Sequence, residues 1–374
     1  MKVPKLRFSN IDKDYEIKNV SDITLNISSG KISKQLEYGE YNVYGSMGVI
    51  GKSNFYDYTG EKVLVARVGA NAGSVNKINE KCCISDNTLV LEPKDVLNDY
   101  LYYALSHYNP KKLIFGSGQP LVTGGQLKKI KLGIPSKEEQ TRVSKFLSLL
   151  DKKIELQSKK IEDLKLFKKG LINYEFNNLN DCKSMSLNDL GMTYSGLSGK
   201  TKEDFKNGNC KFINFMSVLK DNIDISSLTT VKIDLNEKQN KVVKGDLFFM
   251  TSSETKEEVG LCSTLSYEVK NLYLNSFCFG YRIDNLNLLN NEYLNCLLHT
   301  PKYRRQISNL GQGFTRVNIS KNKLLELLIE VPDMKQQLRI VSINNNFNYK
   351  INLETKKLNK LNELKKGLIQ SMFL

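Results

Sequence analysis

Two glycine-rich stretches carry side chains suited to reading a ligand through hydrogen bonds. Residues 44–51 (YGSMGVIG) and 66–73 (ARVGANAG) place Tyr44, Ser46, Arg67 and Asn71 among glycines. Glycine lets a backbone approach a bound molecule closely. Arginine matches guanine, and asparagine matches adenine, on the edges exposed in the DNA major groove. Farther along, the matching loop at residues 251–258 (TSSETKEE) supplies Thr251, Ser253 and Thr255, and a second cluster holds Gln312, Phe314, Thr315 and Arg316. Hydroxyls of this kind bond phosphates, and the carboxylates of the same loop can accept from cytosine N4. Lys31 and Lys200, each ending an SGK tripeptide, and Gln119 in GSGQ complete the candidate DNA contacts.

Patterns for catalysis are incomplete. Residues 45–53 end in GKS, but Ser46 stands where a phosphate loop needs its first glycine; residues 196–201 end in GKT, with Tyr194 at that place. Without that spacing the backbone amides cannot enclose a phosphate, so both are read as plain loops. All seven prolines are isolated, so there is no DPPY- or NPPF-like turn of an adenine methyltransferase, and GxGxxG is absent. Glu254, Glu257 and Glu258 read as a solvated loop rather than metal ligands. The two histidines, His107 and His299, follow matching segments and read as helix-end residues. The seven cysteines form no CxxC pair and read as reduced thiols packed as small apolar groups. We therefore expect no catalytic residue, no cofactor and no metal.

The 374 residues allow two or three domains. Lys+Arg is 55 against Asp+Glu 40, a net charge of +15, which suits a polyanionic partner. No signal peptide or long apolar run is present, so a cytoplasmic location is expected.

These candidate loops must be positioned by a scaffold, and the scaffold is duplicated. Residues 135–176 and 332–373 align without a gap at an offset of 197, with 15 identities in 42 positions. Each copy starts with a capping-box pattern: Pro135, Ser136 and Glu139, then Pro332, Asp333 and Gln336. Each continues as a helix of roughly 35 residues, or about 50 Å. Apolar stripes run through Leu147, Leu150, Ile154, Ile161, Leu164 and Leu171, and through Phe347, Ile351, Leu358, Leu361 and Leu368. Polar interruptions fall at equivalent places, Gln157 with Glu354 and Lys168 with Lys365, as register-fixing positions of a coiled coil do. The two helices are expected to pair with each other. Upstream, 98–105 corresponds to 291–298 and 85–93 to 275–283, while residues 173–184 read as a linker. Short β-rich runs, 62–68 and 244–250, alternate with Gly/Asn/Ser loops. The reading is α+β, with two copies of one scaffold carrying two different readers.

At this point the chain resembles the specificity subunits of type I restriction-modification systems. The resemblance rests on IPSKEEQTRV (134–143) and VPDMKQQLRI (331–340), on KKGLI at 168–172 and 365–369, and on the two loop-bearing regions. It implies target recognition domains at 1–135 and 178–332 and conserved spacer helices at 136–177 and 333–374. The helices would pack as an antiparallel coiled coil with pseudo-twofold symmetry and act as a ruler between the halves of a bipartite DNA site. The expected partners are double-stranded DNA, two methyltransferase subunits and up to two restriction subunits. A specificity subunit serving methylation alone, and a coiled-coil nucleic-acid-binding scaffold, stay open as alternatives.

Overall fold

The computed structural model describes residues 3–8, 14–45, 47–114, 118–220, 222–234 and 236–374. The chain divides into two units, residues 1–160 with 354–374 and residues 161–353. Both long helices cross that division. They span Lys137–Asn177 and Met334–Met372, each free of proline and with one glycine, Gly170 or Gly367. Nothing in their sequences therefore breaks the i to i−4 ladder.

In the first unit a four-stranded antiparallel sheet runs in the order Thr24–Ser29, Thr88–Pro93, Glu61–Ala66, Val75–Asn79. A three-stranded sheet orders Gly48–Ser53, Tyr41–Gly45 and Cys82–Ile84, its last pair parallel. Glu16–Asn19 pairs antiparallel with Lys131–Ile134. The second unit repeats this plan. Its four-stranded order is Gly191–Ser195, Cys278–Ile283, Leu247–Met250, Cys262–Thr264. Its three-stranded order is Thr229–Val231, Cys210–Ile213, Leu272–Leu274, again with a parallel last pair. Lys183–Ser186 pairs with Leu328–Val331.

Each core is closed by the start of one long helix and the end of the other. Val143 and Leu147 join Met372 and Phe373 in the first core, around Tyr100, Leu101 and Leu105. Ile340 and Val341 join Ile172 and Phe176 in the second, around Tyr293, Leu294 and Leu297. Phe373 lies 5.2 Å from Tyr100 and Phe176 lies 5.6 Å from Tyr293, centroid to centroid. Packing of Phe176 keeps the chain helical to Asn177, which corrects the linker expected from residue 173. The linker is confined to the few residues before Lys183.

Both helix starts use the expected cap in half. Glu139 N–H donates to Ser136 Oγ at 3.4 Å and Gln336 N–H donates to Asp333 Oδ1 at 2.8 Å. The reciprocal side chains turn elsewhere. Glu139, fully buried, receives Arg7 through two 2.8 Å bonds and Tyr15 at 3.0 Å. Gln336 closes a pair of 3.1 Å bonds with the backbone of Asn180. The next residue makes the same pair of bonds in both copies. Gln140 accepts from Leu97 N–H and donates to the Pro135 carbonyl, both at 2.9 Å. Gln337 accepts from Asn290 N–H at 2.8 Å and donates to the Pro332 carbonyl at 2.9 Å. Each glutamine thus ties a long helix to the start of Asn98–Tyr108 or Asn291–Leu298.

Within each unit the segments of the two long helices run antiparallel. In the first, Lys365 pairs with Asp151 at 2.6 Å and Lys160 with Glu354 at 3.1 Å. In the second, Lys168 donates to Asn348 at 2.7 Å and Arg339 pairs with Glu175 at 2.9 Å. Leu147, Leu150 and Ile161 of the expected stripes are buried, but Ile154, Leu164, Leu171, Phe347, Ile351, Leu358, Leu361 and Leu368 are half-buried. Two cylinders in contact cover only the facing side of a seam residue. No described helix is long and apolar enough to cross a membrane.

Candidate nucleic-acid interface

The first unit gathers Arg67, Asn71 and Gln119 on one loop surface. The loop leaves Glu61–Ala66 and folds back at once: Ala66 N–H donates to Ser74 carbonyl at 2.8 Å and Gly73 N–H to Ala66 carbonyl at 2.9 Å. Gly73 has φ +80°, and a Cβ there would sit 2.5 Å from Lys111 N, so only glycine fits. The Arg67 backbone is held on both sides, by the Asn87 carbonyl at 2.9 Å and by Val122 N–H at 2.8 Å. Its guanidinium reaches Ser29 Oγ at 3.3 Å. Gly69 N–H donates to the Pro120 carbonyl at 3.0 Å, which carries Gln119 beside the loop. Asn71 and Gln119 are exposed. Lys31 is exposed at the end of the neighbouring strand, with its ammonium 5.9 Å from the Tyr58 ring centroid.

The second unit repeats this backbone with other side chains. Met250 N–H donates to Leu261 carbonyl at 3.0 Å and Gly260 N–H to Met250 carbonyl at 3.1 Å. Thr251 occupies the place of Arg67, held by Phe277 carbonyl at 3.1 Å and Ile319 N–H at 3.0 Å. Gly260, φ +64°, matches Gly73; its Cβ would meet Ile307 at 2.6 Å. Ser252–Ser253 pairs antiparallel with Val317–Asn318. That pairing brings Thr251, Ser253 and Thr255 next to the hairpin bearing Gln312, Phe314 and Arg316. Ser253 is buried, and its hydroxyl donates to Glu258 at 2.8 Å while accepting from Thr255 N–H at 3.4 Å. Thr255, Gln312 and Arg316 are exposed, and Phe314 is 105% exposed.

Besides the buried Ser253, two further candidates are occupied internally. Lys200 ion-pairs with Glu237 at 2.5 Å and its side chain is only 8% exposed, so its charge anchors a loop. The Tyr44 hydroxyl donates to Glu80, and burial together with that carboxylate pushes its pKa up to about 12. Ser46 lies outside the described residues. Thr315 is exposed in the same hairpin as Phe314.

Three residues were missed in the sequence. Asn87 and Phe277, both exposed, sit at equivalent turns whose carbonyls hold Arg67 and Thr251. The matching runs 85–93 and 275–283 begin at those turns, which was the available signal. Arg304 has no sequence signature. It donates to the carbonyls of Gly260 at 3.0 Å and of Glu257 and Val259, each at 2.8 Å, and so clamps the 251–260 loop.

Neither phosphate-loop lookalike forms a phosphate cradle: Gly45 and Gly48–Ser53 lie in paired antiparallel strands, and Gly199 takes φ +68° in a bend. His107 stacks near Phe373, ring centroids 6.0 Å apart, and its pKa is lowered by burial. His299 terminates Asn291–Leu298. Burial pushes the thiols of Cys82 and Cys278 up to about 12, as packing groups rather than nucleophiles. Among the described residues no group of three or more His, Cys, Asp or Glu could hold a metal ion.

The sequence model of the family described as type I restriction modification DNA specificity domain matches residues 12–166 and 180–363. The MjaVIII type I restriction enzyme specificity subunit of Methanocaldococcus jannaschii is 23% identical over 397 aligned positions, covering 96% of this chain and 92% of that one. A provisionally named type I specificity subunit of Mycoplasma pneumoniae is 30% identical over 158 residues, 40% of this chain and 52% of that one; this match spans about half the relative's length. The crystal structure of a type I restriction-modification S subunit from M. genitalium superposes with a TM-score of 0.64 at 16% identity, covering 100% of this chain and 99% of that one. A chain from a structure of the type I R-M system, described for its complex assembly and conformational transition, gives 0.58 at 14% identity, covering 97% and 98%.

Proposed function

Because this chain belongs to the type I restriction-modification DNA specificity family, we propose that it is the non-catalytic subunit that selects the DNA sequence. Each unit reads one half of a bipartite target in duplex DNA, with the long helices setting the unread gap. Two methyltransferase subunits dock on the repeated helices, and restriction subunits join them for cleavage. The observation that carries this reading is one backbone frame presenting different side chains: Arg67 with Asn71 and Gln119 in one unit, Thr251 with Gln312 and Arg316 in the other. A shared frame with divergent readers suits a target whose halves differ. Docking of identical partners is supported by exposed apolar residues at repeat-equivalent helix positions, Leu156 with Leu353 and Phe167 with Leu364.

The test is exchange of residues 1–135 for the corresponding region of another specificity subunit, with the methyltransferase subunit co-expressed. One half of the modified sequence changes and the other stays. Persistence of both halves, or loss of both from an assembled complex, contradicts the modular reading.

A further inference from the structure

The hairpin of the second unit carries a ring with no cover. Gln312 and Asn318 close it through two backbone bonds, Gln312 N–H to Asn318 carbonyl at 2.9 Å and the reverse at 2.8 Å. Below the tip, Val317 and Ile319 are buried in the core. At the tip, Gly313 takes φ +119°, and a Cβ there would lie 2.0 Å from the Arg316 carbonyl. The turn is therefore tight, glycine-dependent and anchored, and it projects Phe314 completely into solvent. Its neighbours Gln312, Thr315 and Arg316 are exposed and polar, and Arg316 has no ion-pair partner among the described residues.

We propose that Phe314 is a wedge that enters the base stack of duplex DNA in the half-site read by the second unit and unstacks one base step. This rests on the DNA-reading proposal above and adds a mode of contact to it. A single apolar ring on a stiff support beside a free cation suits a stacked base step flanked by phosphate: the ring replaces stacking area while the guanidinium holds the backbone. A protein partner would call for a contiguous apolar patch, whereas the exposed residues beside the ring in the hairpin, Gln312, Thr315 and Arg316, are polar. A flexible tip would lose the ordering entropy on insertion; Gly313 and the Gln312–Asn318 pair remove much of that cost.

The experiment uses the chain assembled with its methyltransferase subunit and a duplex containing the mapped target, with 2-aminopurine placed in turn along the second unit's half. In the wild type, fluorescence rises at one base step apart from the methylated adenine, which its own enzyme extrudes. Phe314→Ala abolishes that rise, keeps the rise at the methylated adenine, and weakens binding about ten- to hundred-fold. Phe314→Trp retains the unstacking. A rise that persists in Phe314→Ala overturns the wedge, as does loss of the methyltransferase subunit from that variant with stacking unchanged. A wild type that binds selectively without unstacking overturns the wedge alone; one that shows no sequence selectivity overturns the DNA-reading proposal as well.

Discussion

The side-chain amide of Gln157 donates to the carboxylate of Glu354 at 2.7 Å and to its backbone carbonyl at 3.0 Å, and the two residues stand 197 positions apart, the period of the repeat. Repeat-equivalent residues of an antiparallel helix pair oppose each other at one place along the seam, and here that place is polar. Lys160 and Lys357, also equivalent, each reach Glu354 Oε1 at 3.1 Å. One carboxylate thus serves both lysines, and one amide faces it. Pairing the first helix with another copy of itself would bring two glutamines and two lysines together without a carboxylate. The difference between Gln157 and Glu354 favours pairing within the chain.

That cluster makes stability pH-dependent. Hydrogen bonds from Gln157, Lys160 and Lys357 lower the Glu354 pKa from its ordinary 4.5 to about 2. A depressed carboxylate stabilises the fold fully above its unfolded value and loses that contribution as pH falls toward the folded one. Glu354→Gln should therefore flatten the decline in thermal midpoint between about pH 4.5 and 2. Equal decline in wild type and variant would contradict the assignment.

Phe373 and Phe176 should control separate units. Truncating either buried ring to alanine should cost about 3–5 kcal/mol, Phe373→Ala in the first core and Phe176→Ala in the second. Amide hydrogen exchange reads this directly. Protection should fall around Asn98–Tyr108 in one variant and around Asn291–Leu298 in the other. Uniform loss across the chain in both would contradict separate cores.

Arg304→Met removes the donor to three carbonyls of the 251–260 loop. The expected result is weaker discrimination in the second unit's half-site with the first half unchanged, read from competition binding with singly mismatched duplexes. Equal relaxation of both halves would show that Arg304 does not act through this loop.

Arg67→Ala should relax base preference in the first unit's half only, by about 1–3 kcal/mol per position for a base-edge contact. Arg316→Ala, which removes a phosphate contact, should instead weaken binding to all sequences alike and leave base preference unchanged. Lys200→Met should leave base preference intact and lower stability, since its charge is held by Glu237. A specificity change from Lys200→Met would return that lysine to the DNA-contact set.

Helices and their repeat were legible because 3.6-residue periodicity and duplicated motifs are local properties of the chain. The glutamine in each helix-start motif could be seen, but its bonding could not, because Gln140 and Gln337 bond segments more than forty residues upstream. Equivalence of the globular regions was legible only in short segments, such as 85–93 with 275–283 and 98–105 with 291–298, because the surface loops differ; the shared sheet order was not legible, because it depends on backbone pairing that many sequences satisfy. The loops bearing Arg67 and Thr251 could be matched as segments; only the paired backbone bonds reveal that these two residues occupy one position of a common frame. Lys200 could be nominated from its SGK tripeptide, but its ion pair could not be seen, because Glu237 lies far along the chain with no periodic link to it.

The most direct test of the specificity role is genome-wide mapping of modified adenines in a methylation-free host expressing this chain with its methyltransferase subunit, and each alone. The account predicts a bipartite motif with a fixed gap, appearing only when both are present. An assembled complex that leaves the genome unmodified, or modifies a single uninterrupted motif, would contradict it.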